Sequence, residues 1–144
     1  MTESDSHRSA VEHSVVLRHD RADIEAAQRA LLDAVSGQQY DPASTFAIRL
    51  AVEEAINNAF KHGNESDPGK TVTLAYRIDP RAVEIQVEDQ GAGFDVQAVP
   101  DPTQPENIEI PCGRGIVLMR AYMTRVEYVA PGNKVRMRYE RPTT

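Results

Sequence analysis

Apolar residues in this chain follow two spacings, one near four and one of two, and the switches between them predict its elements. The run "HSVVLRHD" groups β-branched residues and predicts a first strand. In "RADIEAAQRALLDAVSGQ", Ile24, Ala27, Leu31 and Val35 recur at helical spacing and the pattern stops at Gly37, which predicts an amphipathic core helix. The next segment, "YDPASTFAIRLAVEEAINNAFKHGN", opens with Asp41 as an N-cap and Pro42 at the first helical position, and ends near Gly63 after about five turns. Alternation then takes over. "TVTLAYRI" and "AVEIQVED" lie on either side of "DPR" and predict a hairpin. From Asp95 to Cys112 there are four prolines and no sustained period, so a long loop is expected. Helical spacing resumes in "GRGIVLMRAYM" through Ile116, Met119 and Met123, and "TRVEYVA" and "KVRMRYER" flank "PGN" as a final hairpin. The order β-α-α-β-β-loop-α-β-β predicts an α+β fold, a two-layer sandwich with helices on one face of a mixed, mostly antiparallel sheet.

Composition narrows the function classes. A chain of 144 residues is long enough to bury its own core as a single domain, expected over residues 13–141 behind a disordered start of about a dozen residues. Lys plus Arg number 16 against 22 for Asp plus Glu, a net charge of -6, so no general attraction to nucleic acid or to an anionic membrane is expected, and any phosphate site must be local. Cys112 is the only cysteine and has no partner for an internal disulfide. With no run of eighteen apolar residues and no basic-then-apolar start, a cytoplasmic protein is expected. The four histidines are irregularly spaced and suggest no zinc or haem site.

Three stretches carry candidate chemistry. In "EEAINNAFKHGN", residues four apart share a helical face, so Glu53 stands over Asn57 and Glu54 over Asn58, two polar ladders of which a solvated helix end explains one and leaves the question whether the other faces a ligand. In "EDQGAGF", Gly91 and Gly93 permit close approach of a ligand, and Asp89 offers a carboxylate that accepts a hydrogen bond from an exocyclic amine; a plain turn would use the same residues. In "GRGIVL", Gly113 and Gly115 lead into a helix start, where free N–H groups suit phosphate and Arg114 adds charge, although a loop end and close packing would also use these glycines. Neither a Walker loop nor a dinucleotide fingerprint is complete.

Taken together and in this order, the three stretches resemble the Bergerat-fold, or GHKL, ATPases, and within that superfamily the small stand-alone anti-sigma factor serine/threonine kinases. The helix pattern Glu-Ala-aliphatic-x-Asn-Ala-x-x-His-Gly is matched throughout by Glu54-Ala55-Ile56-Asn57-Asn58-Ala59-Phe60-Lys61-His62-Gly63. The resemblance implies that Glu54 is the general base, that Asn58 holds the Mg²⁺ bridging the phosphates of ATP, and that Lys61 contacts phosphate. It implies that Asp89 reads the adenine amine in a pocket shaped by Gly91 and Gly93, that Gly113, Arg114 and Gly115 contact phosphate, and that residues 95–112 form the ATP lid. Glu53 and Asn57 become the neighbouring pair, structural or solvated. The implied activity is phosphorylation of a STAS-type anti-anti-sigma protein, alternating with sequestration of a sigma factor, by a homodimer. Two other readings use the same pocket: a module that binds ATP and sequesters a partner without kinase activity, and a detached histidine-kinase catalytic domain. One departure stands out: Gly132-Asn133-Lys134 replaces the Gly-Thr common in relatives, which removes a hydroxyl expected near phosphate.

Overall fold

A computed structural model of the protein describes residues 10–65, 67–91, 122–129 and 133–142. Its elements are β1 (Val11–Leu17), α1 (Arg21–Gly37), α2 (Pro42–Asn58), a π-helical turn (Ala59–Gly63), β2 (Val72–Ile78), β3 (Ala82–Glu88), β4 (Arg125–Val129) and β5 (Lys134–Glu140). The helix expected after "GRG" lies outside the described residues up to position 121, its last residues Tyr122 and Met123 being described and Met123 buried in the core; the loop of residues 95–112 and the N-terminal nine residues also lie outside.

The five strands form one sheet in the order β1-β2-β3-β5-β4, with each described pairing antiparallel. Alternation dictates its two faces. Val72, Leu74, Tyr76 and Ile78 of β2, with Val83, Ile85 and Val87 of β3 and Val135 and Met137 of β5, are buried on one side. Their neighbours Arg77, Glu84 and Arg138 stand on the other, where Arg138 pairs with Glu84 at 3.1 Å across β3 and β5. Both helices cover the apolar side: Leu31 and Val35 of α1, and Ile48, Ala51, Val52, Ala55 and Ile56 of α2, join the strands in one core. The expected two-layer α+β sandwich is the observed one.

α2 is anchored at its start. Asp41 caps it by accepting the Ser44 N–H at 2.7 Å, and Pro42 occupies the first turn, where its missing N–H leaves nothing unpaired. The capping bond holds the Asp41 carboxyl below the ordinary range. Ser44 is buried and shares a 2.6 Å hydrogen bond with the Tyr139 hydroxyl, while the Tyr40 hydroxyl donates to the Asp79 carbonyl at 2.8 Å. Arg141 lies over the Tyr40 ring at 4.1 Å and donates to the Gln38 carbonyl at 2.6 Å. With this end locked to the β2–β3 turn and to the chain after β5, the position of the other end of α2 is set by a helix of fixed rise.

Candidate functional site

The far end of α2 carries both polar ladders, and the structure separates them. Asn57 is exposed, and Glu53 pairs with Arg49, one turn back, at 3.5 Å. Glu53 is partly buried, as Glu54 is, so the two ladders differ in burial at their asparagines. Glu54 and Asn58 are partly buried, and the Asn58 Nδ2 is a buried donor with no protein partner. Such a donor is costly unless something else receives it, so the Asn58 amide is available to a ligand.

Beyond Asn58 the helix widens. The Asn64 N–H reaches back five residues to the Ala59 carbonyl at 2.8 Å, closing a π turn, a feature frequent at functional sites. Phe60 is buried in this turn with the His19 ring stacked on it at 4.8 Å, and Lys61 is exposed.

The turn ends against the second motif. A Cβ added to Gly63 would lie 2.0 Å from Oδ2 of Asp89, and one added to Gly91 would lie 1.9 Å from the Gly63 carbonyl oxygen. Only glycine permits either approach. The Asp89 carboxylate therefore sits in a cradle made by two glycines from different motifs, and its Oδ1 accepts the Gly91 N–H at 2.7 Å. Its carboxyl is held above the ordinary range, first by burial and then by neighbouring Glu88, against the opposing pull of the Gly91 N–H and of Lys70.

Two asparagines hold the main chain around Asp89. The Asp89 N–H donates to the Asn133 carbonyl at 2.8 Å, and the Asn133 Nδ2 donates to the Asp89 carbonyl at 3.1 Å. The hairpin position where the resemblance leads one to expect threonine thus grips the backbone of the motif aspartate. Asn64, fully buried, accepts the Gln90 N–H at 2.7 Å and donates to the Thr71 carbonyl at 3.0 Å. Neither asparagine stands out in the sequence as a site residue: an asparagine after Gly63 reads as an ordinary helix end, and Asn133 reads only as a missing hydroxyl. Among the expected site residues, Glu54, Asn58, Lys61, Asp89 and Gly91 are described and lie on two elements that meet at Gly63. Gly93, Gly113, Arg114, Gly115 and the expected lid lie outside the described residues.

Residues 17–139 match the family described as "Histidine kinase-like ATPase domain". The chain belongs to that family. Its histidine kinase-like ATPase domain is similar to a protein named "Anti-sigma F factor" of Clostridium perfringens, 33% identical over 89 residues that cover 60% of this chain and 64% of the relative. Another protein of that name, from Geobacillus stearothermophilus, is 32% identical over 91 residues, covering 60% and 61%. The "Serine-protein kinase RsbW" of Oceanobacillus iheyensis is 29% identical over 86 residues, covering 56% and 54%. The matches thus span less than two-thirds of these relatives' length. Membership of an ATPase family implies use of ATP. Among the described residues of this ATPase domain, no helix is long and apolar enough to cross a membrane.

Proposed function

We propose that this protein is an ATP-dependent protein serine/threonine kinase and partner-switching anti-sigma factor, acting on a STAS-type anti-anti-sigma protein and alternately holding a sigma factor, in the cytoplasm and as a homodimer. The observation that carries the reading is the contact of Gly63 with Asp89: it joins the helix bearing Glu54 and Asn58 to the turn bearing a half-buried carboxylate. A single nucleotide can then be read at its base by one element and at its phosphates by the other. The names of the relatives support the choice of partners.

In this reading Asp89 accepts a hydrogen bond from the adenine amine, beside Gly91 and Gly93. Lys61, Gly113, Arg114 and Gly115 contact phosphate, and residues 95–112 cover the nucleotide. The unpartnered Asn58 atom is the donor Nδ2, which suits a phosphate oxygen; a magnesium ion would instead be held by the Asn58 Oδ1, and a hard ion that keeps several waters needs few protein oxygens. Among the described residues no cluster of three or more His, Cys, Asp or Glu offers a closed cage. When bound, magnesium supplies neutralisation of phosphate charge. Glu54, on the same face one turn earlier, takes the proton of the substrate hydroxyl as its oxygen bonds to the γ-phosphorus and the bond to the ADP oxygen breaks.

The test is phosphoryl transfer from labelled ATP to a STAS partner. Wild type labels serine or threonine, Glu54→Gln binds ATP without transferring it, and Glu53→Gln on the neighbouring ladder behaves as wild type. Normal transfer by Glu54→Gln removes the base assignment. One observation favours a second reading, ATP-dependent sequestration without transfer: the Asn133 amide is engaged by the Asp89 carbonyl and supplies no hydroxyl. ATP binding with no label on any partner supports that reading, and label confined to histidine supports a detached histidine-kinase domain.

A further inference from the structure

We infer that Asn64 is a positioning residue that makes the site selective for an amine-bearing base, by holding the Asp89–Gly91 turn in place from beneath. The inference rests on the reading of Asp89 as the acceptor of the adenine amine.

Asn64 is one of two buried polar residues among the described residues, the other being the capping-face Ser44, and it makes four hydrogen bonds. Its N–H closes the π turn on Ala59, and its carbonyl accepts the Asp67 N–H at 3.0 Å. Its side chain does the longer-range work: Oδ1 accepts from Gln90 N–H and Nδ2 donates to the Thr71 carbonyl. Gln90 reciprocates, its Oε1 accepting the Thr71 N–H at 2.6 Å. One buried amide therefore ties together the end of the asparagine helix, the start of β2 and the residue between Asp89 and Gly91.

That last link bears on specificity. Gln90 is the middle of the turn in which the Gly91 N–H holds the Asp89 carboxylate, and Gly91 also packs on the Gly63 carbonyl. A shift at Gln90 moves the carboxylate relative to whatever it faces. Selection between an amine and a carbonyl at one edge of a base requires an acceptor fixed to within a fraction of an ångström, because hydrogen bonds weaken steeply with distance and angle. The next residue, Glu65, adopts a left-handed backbone with φ 53, a conformation uncommon outside glycine. The chain turns sharply out of the site immediately after the amide that anchors it.

The chemistry separates Asn64 from a merely structural core residue. Asn64→Asp keeps an oxygen for the Gln90 N–H and loses the donor to Thr71; Asn64→Ala loses both. The experiment compares affinity for Mg-ATP with that for Mg-inosine triphosphate, which bears a carbonyl where adenine has its amine, using the full chain below the melting temperature of each variant. Amide exchange at Gln90 and Gly91 is followed without nucleotide.

Wild type is expected to prefer ATP by about tenfold or more, the worth of a hydrogen bond to a charged acceptor. In Asn64→Ala the preference collapses toward unity, inosine triphosphate binding stays within about twofold, and protection at Gln90 is lost. Asn64→Asp retains both the preference and the protection. Should Asn64→Ala fail to fold, Asn64→Asp decides: protection at Gln90 with the preference intact supports the assignment, and protection with the preference lost overturns it. Full preference in folded Asn64→Ala also overturns it. A wild type that does not distinguish the two nucleotides instead overturns the reading of Asp89 on which the inference stands.

Discussion

Replacing Gly63 by alanine perturbs the contact between the two motifs with a single methyl group. That methyl would sit 2.0 Å from Oδ2, 2.3 Å from Cγ and 2.8 Å from Oδ1 of Asp89. Ordinary contact begins at about 3.5 Å, so roughly 1.5 Å must be recovered. Turning the carboxylate about its own axis does not help, since Cγ is itself too close. Either Asp89 swings away, breaking its 2.7 Å bond from the Gly91 N–H, or the Gly63 backbone retreats against Asn64, which is held on four sides. Overpacking of this kind costs about 1–3 kcal/mol of stability. On the proposed reading of Asp89, a displaced carboxylate forfeits its bond to the base amine, about 1.5–3 kcal/mol, which is roughly a 10- to 150-fold weaker affinity for ATP. Calorimetric titration with Mg-ATP measures the affinity and urea unfolding measures the stability. Gly37→Ala is the control: nothing lies within 4 Å of a Cβ there, so ATP affinity is unchanged and stability rises by up to about 1 kcal/mol. A folded Gly63→Ala protein that binds ATP within about twofold of wild type would refute the argument that the close approach of glycine places the acceptor.

Asp89→Asn is expected to stabilise the protein near neutral pH while weakening ATP binding. Burial raises the Asp89 carboxyl above its ordinary value, so on acidification the folded protein takes up this proton before the unfolded chain does. The wild-type deficit relative to Asp89→Asn therefore shrinks as pH falls through the raised value and is gone below the unfolded one, a trend that urea unfolding of both proteins down to about pH 4 detects. In the core, Ile48→Ala is expected to cost about 2–5 kcal/mol, because Ile48 is fully buried between α2 and the sheet. Phe46→Ala, two residues away at 51% exposure, is expected to fall within about 0.5 kcal/mol of wild type by the same assay.

How much of this was legible depends on how far apart the interacting residues stand in the chain. The start of α2 was readable because a cap and its proline are neighbours, Asp41 and Pro42. Both hairpins were readable because a period of two survives inspection of one strand at a time, and the β2–β3 register follows from the short "DPR" connection. The separation of the Glu54–Asn58 ladder from the Glu53–Asn57 ladder came from the motif, and Arg49 beside Glu53 adds a local reason for it. What stayed hidden was every contact across the fold. The bond from Gln90 to Asn64 spans 26 positions and that from Asn133 to Asp89 spans 44. Composition cannot distinguish an asparagine that ends a helix from one that enters the core. Asn133 was hidden for a related reason: the β3–β5 pairing, not local sequence, brings it beside Asp89.

The π turn explains why these hidden contacts belong to one device. Had α2 continued as an α-helix, the Asn64 N–H would have bonded four residues back to Phe60; the wider turn takes it to Ala59 and alters the direction in which the chain leaves. A π turn packs its hydrogen bonds less favourably and persists where surrounding contacts over-determine it. Here those contacts are identifiable. Phe60 is buried at the turn's start, Gly63 presses on Asp89 and Gly91 at its end, and Asn64 enters the core immediately afterwards with both ends of its amide bonded. A side chain at Gly63 or an apolar residue at Asn64 would relieve the need for the wide turn, but it would also part the helix that carries Glu54 and Asn58 from the turn that carries Asp89. The local irregularity is thus a condition of joining two motifs that lie on different elements, and its cost falls on the segment where, on the proposed function, a nucleotide meets both.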